Sequence, residues 1–394
     1  MASSDFAPIK LGVVGLSTGG WASQVLGPLL TQKTLLASTY DLVAVSTSSS
    51  STAEESAKTY VGLVGHDIKA YTDSAAIAGD PDVDFIAVSV KAPLHKKLVL
   101  PIIESKKPFF VEWPVGVSLA ETEEIAEAAK KAGVRSLVGL QGRRSRAVVE
   151  IQKIIASGKI GTIRTVTGRE ISMAENKANF IYKVATLPRE TQFWAPEMKE
   201  DQAYLLEEKN GATLLNILVG HSLDNLTQLV GDFATVSAHS VVAYPSATLL
   251  DADGKPSGKE VPSHHPDHIA LSGVLKSGGL VSTLWRVGLK STEGRRNLLW
   301  EIDGEEGTIR IESNHPVGAV TSMFDPDVYL NGKKVPLFAE GRTDGGVVYN
   351  VTQLWKEFAK GEKGIYPSIE DAVKHRRLLD AIRRSLGEGK AISL

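Results

Sequence analysis

The stretch IKLGVVGLSTGGW, residues 9–21, reads as a strand, a glycine-rich turn and the start of an apolar helix. That order is the unit that cradles a phosphate. Glycines let the backbone approach closely and reach positive φ, and a helix N-terminus offers unbonded N–H groups and the positive end of its dipole. Gly15, Ser17, Thr18, Gly19, Gly20 and Trp21 are therefore candidate cofactor-binding residues. The glycines fall at 15, 19 and 20, not at the GxGxxG spacing of a dinucleotide fingerprint, so an ordinary turn is the competing reading.

Working outward, residues 41–47 (DLVAVST), 83–90 (VDFIAVSV), 108–111 (PFFV) and 134–140 (VRSLVGL) read as further strands with helical stretches between them. The helix over 118–132 opens with Ser118 and Glu121 at capping-box spacing and stops at Gly133. This alternation predicts an α/β fold: a doubly wound, Rossmann-type parallel sheet with right-handed crossovers. In such a sheet ligands gather outside the carboxyl ends of the strands. FFVEWPVG, residues 109–116, is a buried strand cut short by a proline, which cannot continue a ladder, so Glu112, Trp113 and Pro114 should face the crevice. Val90, Lys91 and His95, in SVKAPLH, follow the preceding strand, and Val90 and His95 join the cofactor candidates. At the end of the second strand, Ser46, Thr47 and Ser48 stand where an NAD site usually carries an acid for the ribose 2′-OH. Hydroxyls there point to NADP ahead of NAD, although no arginine or lysine adjoins them to hold a 2′-phosphate.

Beyond residue 140 the strands lengthen and alternate. Residues 162–172, 267–275, 281–287, 298–302 and 308–312 predict a mainly antiparallel open sheet with one wet face. A helix with Val148, Ile151 and Ile155 on one face leads into it, Gly304 and Gly307 mark a hairpin, and a last helix over 368–386 should end at Gly387. The expected division is a dinucleotide-binding domain over 1–140 and an α+β substrate and dimerisation domain over 141–394.

At 394 residues two cores are expected. With charged residues at 23% and a net charge of only -2, no basic field exists to bind nucleic acid or a membrane surface. The absence of cysteine removes disulfides, thiolate nucleophiles and cysteine metal sites, and fits a reducing compartment. MASSDFAPIK lacks an apolar signal core, and no segment reaches the roughly 18 to 20 apolar residues that span a bilayer. The expectation is a soluble cytoplasmic protein with a small-molecule partner. His264, His265 and His268 suggest no metal site, because Pro266 interrupts them and no cysteine or clustered acid completes a ligand set.

VVGL…GG, SVKAPLH, FFVEWP, QGRRSR, SGKIGTI, GATLLNILVGHSLD, IDGEEGTIRIE and PSIEDAVKHRRLLDAIRRSLGEGK, in that order, resemble the glucose-fructose oxidoreductase, inositol dehydrogenase and MocA family along nearly the whole chain. VEWP, LQGR and GHSLD are most similar to its fungal galactose-pathway repressor-like subgroup. The resemblance implies nicotinamide chemistry, a homodimer or higher homo-oligomer, and catalysis by a lysine after the fourth-strand glutamate with a downstream aspartate and histidine. Trp113 stands at the lysine position, and an indole N–H can only donate a hydrogen bond. His221 matches the histidine. The aspartate is absent, and Asn216, five residues before His221 instead of four, is not expected to share its helix face.

His221 is thus the candidate acid and base, because imidazole titrates near neutrality, and Asp224 three residues on could orient it. Lys91 is a spare cation near the expected nicotinamide; Tyr182, in the long loop 174–194 with Lys183 and Trp194, could supply a phenolic proton; Arg143 and Arg144 could hold an anion. The bland alternatives are a satisfied helix histidine, solvated charges and aromatic packing anchors. The reading is an NAD(P)-dependent oxidoreductase moving hydride between the cofactor and a small carbonyl, enone or imine compound. The alternative is a non-catalytic, dinucleotide-sensing transcriptional regulator, with a nuclear location then expected.

Overall fold

The computed structural model describes residues 7–173, 194, 196–289, 292–315, 318–338 and 345–394. The chain divides into two compact units. Residues 7–139 build the first, and Val351–Val373 return to it.

In the first unit strands and helices alternate as β1 (Ile9–Val14), α1 (Trp21–Thr31), β2 (Tyr40–Ser46), α2 (Ser50–Val64), β3 (Lys69–Tyr71) and α3 (Ser74–Gly79). Then come β4 (Phe85–Val88), α4 (His95–Glu104), β5 (Phe109–Val111), α5 (Leu119–Ala132) and β6 (Ser136–Val138). The strands pair in parallel in the order β3-β2-β1-β4-β5-β6, so the order reverses between β1 and β4. That reversal is the crevice at which a doubly wound sheet takes its ligand. The edge strand β3 escapes sequence reading because it has three residues and an exposed face. Ser118 caps α5 as expected, while the Glu121 carboxylate reaches back to the Val117 amide at 3.0 Å.

The division differs from a simple cut at 140. Trp355 lies fully buried against Tyr40, Phe85 and Phe110, with ring centroids 5.2, 5.6 and 5.1 Å away. The Tyr40 hydroxyl donates to the Trp355 carbonyl at 2.7 Å. A parallel sheet must be covered on both faces, and this late segment supplies the cover.

The second unit opens with α6 (Arg146–Ala156), β7 (Ile163–Met173), β8 (Glu197–Lys199), α7 (Gly220–Val230), β9 (Phe233–Val241), β10 (Ser246–Leu250) and β11 (Pro256–Pro262). It continues through β12 (His268–Leu275), β13 (Leu280–Leu289), β14 (Leu298–Gly304), β15 (Thr308–Ser313), β16 (Asp327–Leu330) and β17 (Lys333–Val335). Two helices, α8 (Gly346–Ala359) and α9 (Ile369–Glu388), and a short β18 (Ile392–Ser393) finish the chain. A nine-stranded sheet runs β17-β16-β15-β14-β7-β13-β12-β9-β18, antiparallel except where β7 meets β13. The turn between β14 and β15 closes with the Gly304 amide donating to the Gly307 carbonyl at 2.9 Å. On α6 the buried residue is Ile154, not Ile155, and α9 runs through Gly387 to a stop at Gly389, whose φ of 64° ends it. Among the described residues no helix is long and apolar enough to cross a membrane.

Candidate functional site

In the first unit the turn after β1 sits at the strand-order reversal. Gly15 has φ of 96°, and a Cβ on it would lie 2.3 Å from the Ser89 carbonyl oxygen and 2.5 Å from Val90 Cγ1. Only glycine lets this turn lie against the end of β4. The Ser17 amide donates to the Gly15 carbonyl at 2.9 Å and its hydroxyl to the Gly19 carbonyl at 2.5 Å. Thr18, Gly19 and Gly20 are exposed, and a Cβ on either glycine would meet nothing within 4 Å. Gly20, at φ 102°, precedes a helix whose N-terminus has no side-chain cap. Open glycines before uncapped N–H groups fit the pyrophosphate of a dinucleotide.

At the end of β2 the hydroxyls are used locally. Ser46 is buried and donates to the Asp73 carbonyl at 3.4 Å. Thr47 and Thr52 share a hydrogen bond of 2.6 Å, and Ser49 caps α2 by accepting the Thr52 amide. Ser48 is exposed.

Glu112, just past β5, gathers the site together. Its Oε1 accepts the Trp21 indole N–H at 3.0 Å and the Ser89 hydroxyl at 3.3 Å, linking the start of α1 to the ends of β4 and β5. Burial pushes its carboxyl up to about 7, against those two hydrogen bonds. Gly139 makes the room, since a Cβ there would lie 2.4 Å from Glu112 Oε2. Trp113 is buried at 6% exposure, and the Trp113–Pro114 peptide bond is cis. His95 departs from its expected part as a cofactor ligand. At 1% exposure its ring nitrogens lie 2.9 Å from the Pro114 carbonyl and 3.0 Å from that of Val90, so they tie two loops together. Burial lowers its basicity. Lys91 is exposed and begins the short turn Ala92–Leu94.

In the second unit His221 stands in the first turn of α7, after a π-helical segment over Leu215–Val219. The Val219 amide bonds to the Leu214 carbonyl, five residues back, at 3.1 Å. A π-turn holds one more residue than an α-turn, so a spacing of five brings Asn216 round toward the face of His221. The Asn216 amide nitrogen donates to the Gly211 carbonyl at 3.0 Å. His221 Nδ1 is buried and has no hydrogen-bond partner among the described residues. Burial lowers its pKa to about 4, opposed by the Asp224 charge and aided by His375, whose Nε2 lies 2.7 Å from the Gly220 carbonyl.

Asp224 and Arg143, expected to orient His221 and to hold a ligand anion, take each other instead. Arg143 Nε lies 3.1 and 3.0 Å from the two oxygens of the Asp224 carboxylate, and Nη2 lies 2.7 Å from Oδ1. With the carboxylate 1% exposed, a planar guanidinium is the partner that best compensates its buried charge.

Residues 9–140 match the model of an oxidoreductase family with an NAD-binding Rossmann fold, and residues 147–313 match that of the Gal80p C-terminal domain. Residues 9–140 thus carry the NAD-binding Rossmann domain of that oxidoreductase family, and residues 147–313 a Gal80p-like C-terminal domain. It is 28% identical over 390 residues to the dehydrogenase aclE of Aspergillus oryzae, covering 98% of each chain. It is also 28% identical over 437 residues to the galactose/lactose metabolism regulatory protein GAL80 of Saccharomyces cerevisiae, covering 98% of this chain and 95% of that protein. In fold it is similar to a super-repressor mutant of Gal80p from Saccharomyces cerevisiae, with a TM-score of 0.84 at 23% identity and 98% of each chain covered.

Tyr182 and Lys183 lie outside the described residues. Trp194 is an anchor, 7% exposed, with its indole N–H donating to the Ala212 carbonyl at 3.0 Å. His268 Nδ1 lies 2.7 Å from Asp267 Oδ1, and no metal-binding group of three or more His, Asp or Glu occurs among the described residues. Sequence reading missed Ser89, His375 and Glu170. Glu170 did leave a signal: it shares a strand face with the buried Val166, and a carboxylate on an apolar face calls for a partner.

Proposed function

We propose that the chain is an NAD(P)-dependent oxidoreductase acting on a small carbonyl, enone or imine compound or the corresponding reduced form. The residues that would hold the dinucleotide are Gly15, Gly19, Gly20 and the first amides of α1 at the pyrophosphate, with Trp21 and Glu112 further along. When bound, the nicotinamide supplies or accepts the hydride. The hydroxyls after β2, with no acid among them, favour NADP ahead of NAD.

The observation that carries the catalytic reading is the ring of His221, whose Nδ1 has no partner among the described residues. With its pKa lowered to about 4 the ring is neutral at pH 7. In the oxidative direction His221 takes the proton from the substrate hydroxyl as hydride leaves its carbon, and in the reductive direction it returns that proton to the new oxygen or nitrogen.

The regulator reading is favoured by a specific observation: Trp113 is buried and cannot give or take a proton. Turnover separates the two. NADPH or NADH is incubated with a panel of ketones, enones and imines, and loss of reduced-nicotinamide absorbance is followed. The expected result is turnover that falls about 100-fold or more in His221→Phe. Dinucleotide binding with no turnover across the panel supports the regulator instead.

A further inference from the structure

Behind His221, the next residue of α7 rests on a carboxyl group that the proposed chemistry does not use. Glu170, in β7, is 1% exposed. Strand register sets Trp285 of β13 directly opposite it and Trp300 of β14 opposite Gly168. A Cβ on Gly168 would lie 3.0 Å from Trp300 Cδ1, so the glycine is what admits that indole. Glu170 Oε1 accepts the Trp300 N–H at 2.9 Å and the hydroxyl of Ser222, while Ser222 Oγ accepts the Trp285 N–H at 3.1 Å. Glu170 Oε2 is buried with no hydrogen-bond partner among the described residues.

This arrangement suits a neutral acid and not a carboxylate. An ionised group spreads its charge over both oxygens, and here one of them would be buried without a donor. Among the described residues no ion pair offsets it. Arg169 and Arg286, the strand neighbours of Glu170 and of its partner Trp285, belong to the opposite face of the sheet by alternation. From β13 and β14 it meets indoles. From α7 it meets Ser222, whose titratable neighbours are His221 and Asp224, the latter bound to Arg143. Burial accordingly pushes the Glu170 carboxyl up to about 8, against the hydrogen bonds from Ser222 and Trp300.

We infer that Glu170 is a positioning residue for His221: through Ser222 it holds the first turn of α7, and its ionisation, which tightens the grip on the Ser222 hydroxyl and leaves a charged Oε2 without a donor, shifts that turn. The functional meaning rests on the reading of His221 as the proton-handling group; the coupling itself does not.

The test uses the full chain with isotope-labelled histidine rings, observed by NMR from about pH 6 to about pH 9.5, with His221 assigned by the signal lost in His221→Gln. The ring itself should not titrate there, since its own pKa is lowered to about 4. The expected result is a His221 shift with a midpoint near pH 8 in the native chain, absent in Glu170→Gln, which keeps a carbonyl acceptor but cannot ionise. A flat His221 signal in the native chain, or the same midpoint in Glu170→Gln, overturns the inference. Should Glu170→Gln fail to fold, Ser222→Ala carries the test by cutting the hydroxyl and leaving the acid. Loss of the His221 midpoint there supports the coupling, and its survival overturns it. A missing turnover with an intact midpoint condemns the oxidoreductase reading and not this one.

Discussion

Single residues decide whether the turn after β1 can form and whether it can hold a ligand, and two glycines separate those effects. Gly15→Ala would force a Cβ to 2.3 Å from a backbone oxygen at a φ of 96°, and neither the carbonyl nor the turn can yield cheaply. The expected outcome is a stability loss of about 1 to 3 kcal/mol by thermal or urea melts. Gly19→Ala meets nothing within 4 Å. Its stability should stay within about 0.5 kcal/mol of the native chain, while dinucleotide affinity, followed by nicotinamide fluorescence, falls about tenfold or more as the methyl occupies the pyrophosphate space. An unchanged affinity would remove this turn from the cofactor site. At the same scale the sequence displays which residues carry chemistry but hides their partners. His221 and Asp224 are plain in GHSLD, yet Arg143, the partner of Asp224, lies 81 residues away and reads as a loop cation.

At the scale of elements, the helix that carries His221 shows where periodicity misleads. Five residues at 3.6 per turn advance about 500°, leaving Asn216 roughly 140° from His221. The π-helical segment over Leu215–Val219 takes up the extra residue and narrows that angle. Asn216→Asp is therefore expected to raise the His221 pKa from about 4 by roughly one unit or more, read by histidine NMR, through a charge on the same face. An unmoved titration would place the two on different faces. A π-turn leaves no mark in LLNILVGHSL because its cause is packing: Leu214, Leu218 and Val219 are all buried, and burying them sets the local winding. The β1-turn-α1 unit, by contrast, was legible because its strand, glycines and helix are all set by local conformational preference.

For the whole molecule, the titrating groups predict how stability depends on pH. His95, His221 and His375 are held below the ordinary histidine value by burial. The unfolded chain binds protons at these sites that the folded chain does not, so stability falls as pH drops below about 6.5. Glu112 and Glu170 are raised to about 7 and about 8, and the folded chain holds protons that the unfolded chain has lost. Their stabilising share is complete below about 4.5 and is lost as pH rises through the folded values. The two slopes oppose each other between these limits, and above about 6.5 the acids act without the histidines. Urea unfolding should therefore show a maximum near pH 6.5, with a decline toward pH 8 of at most about 1.4 kcal/mol per pH unit for each acid. Glu112→Gln with Glu170→Gln should flatten that decline, and an unchanged alkaline slope would assign it to other groups.

What the sequence by itself determined was the alternation of strands and helices in the first unit apart from β3, the parallel then mainly antiparallel character of the two sheets, the glycine turn and the candidate residues. Each of these follows from side-chain periodicity, cap residues and glycine, which act over a few positions. The tertiary structure alone decided that Val351–Val373 complete the first unit, that Asp224 answers to Arg143, that His95 ties loops together, and that a buried acid lies under Ser222. These outcomes depend on burial and on pairs far apart in the chain. A carboxylate or an imidazole does not show in its own sequence neighbourhood how much water it will lose or what will stand against it.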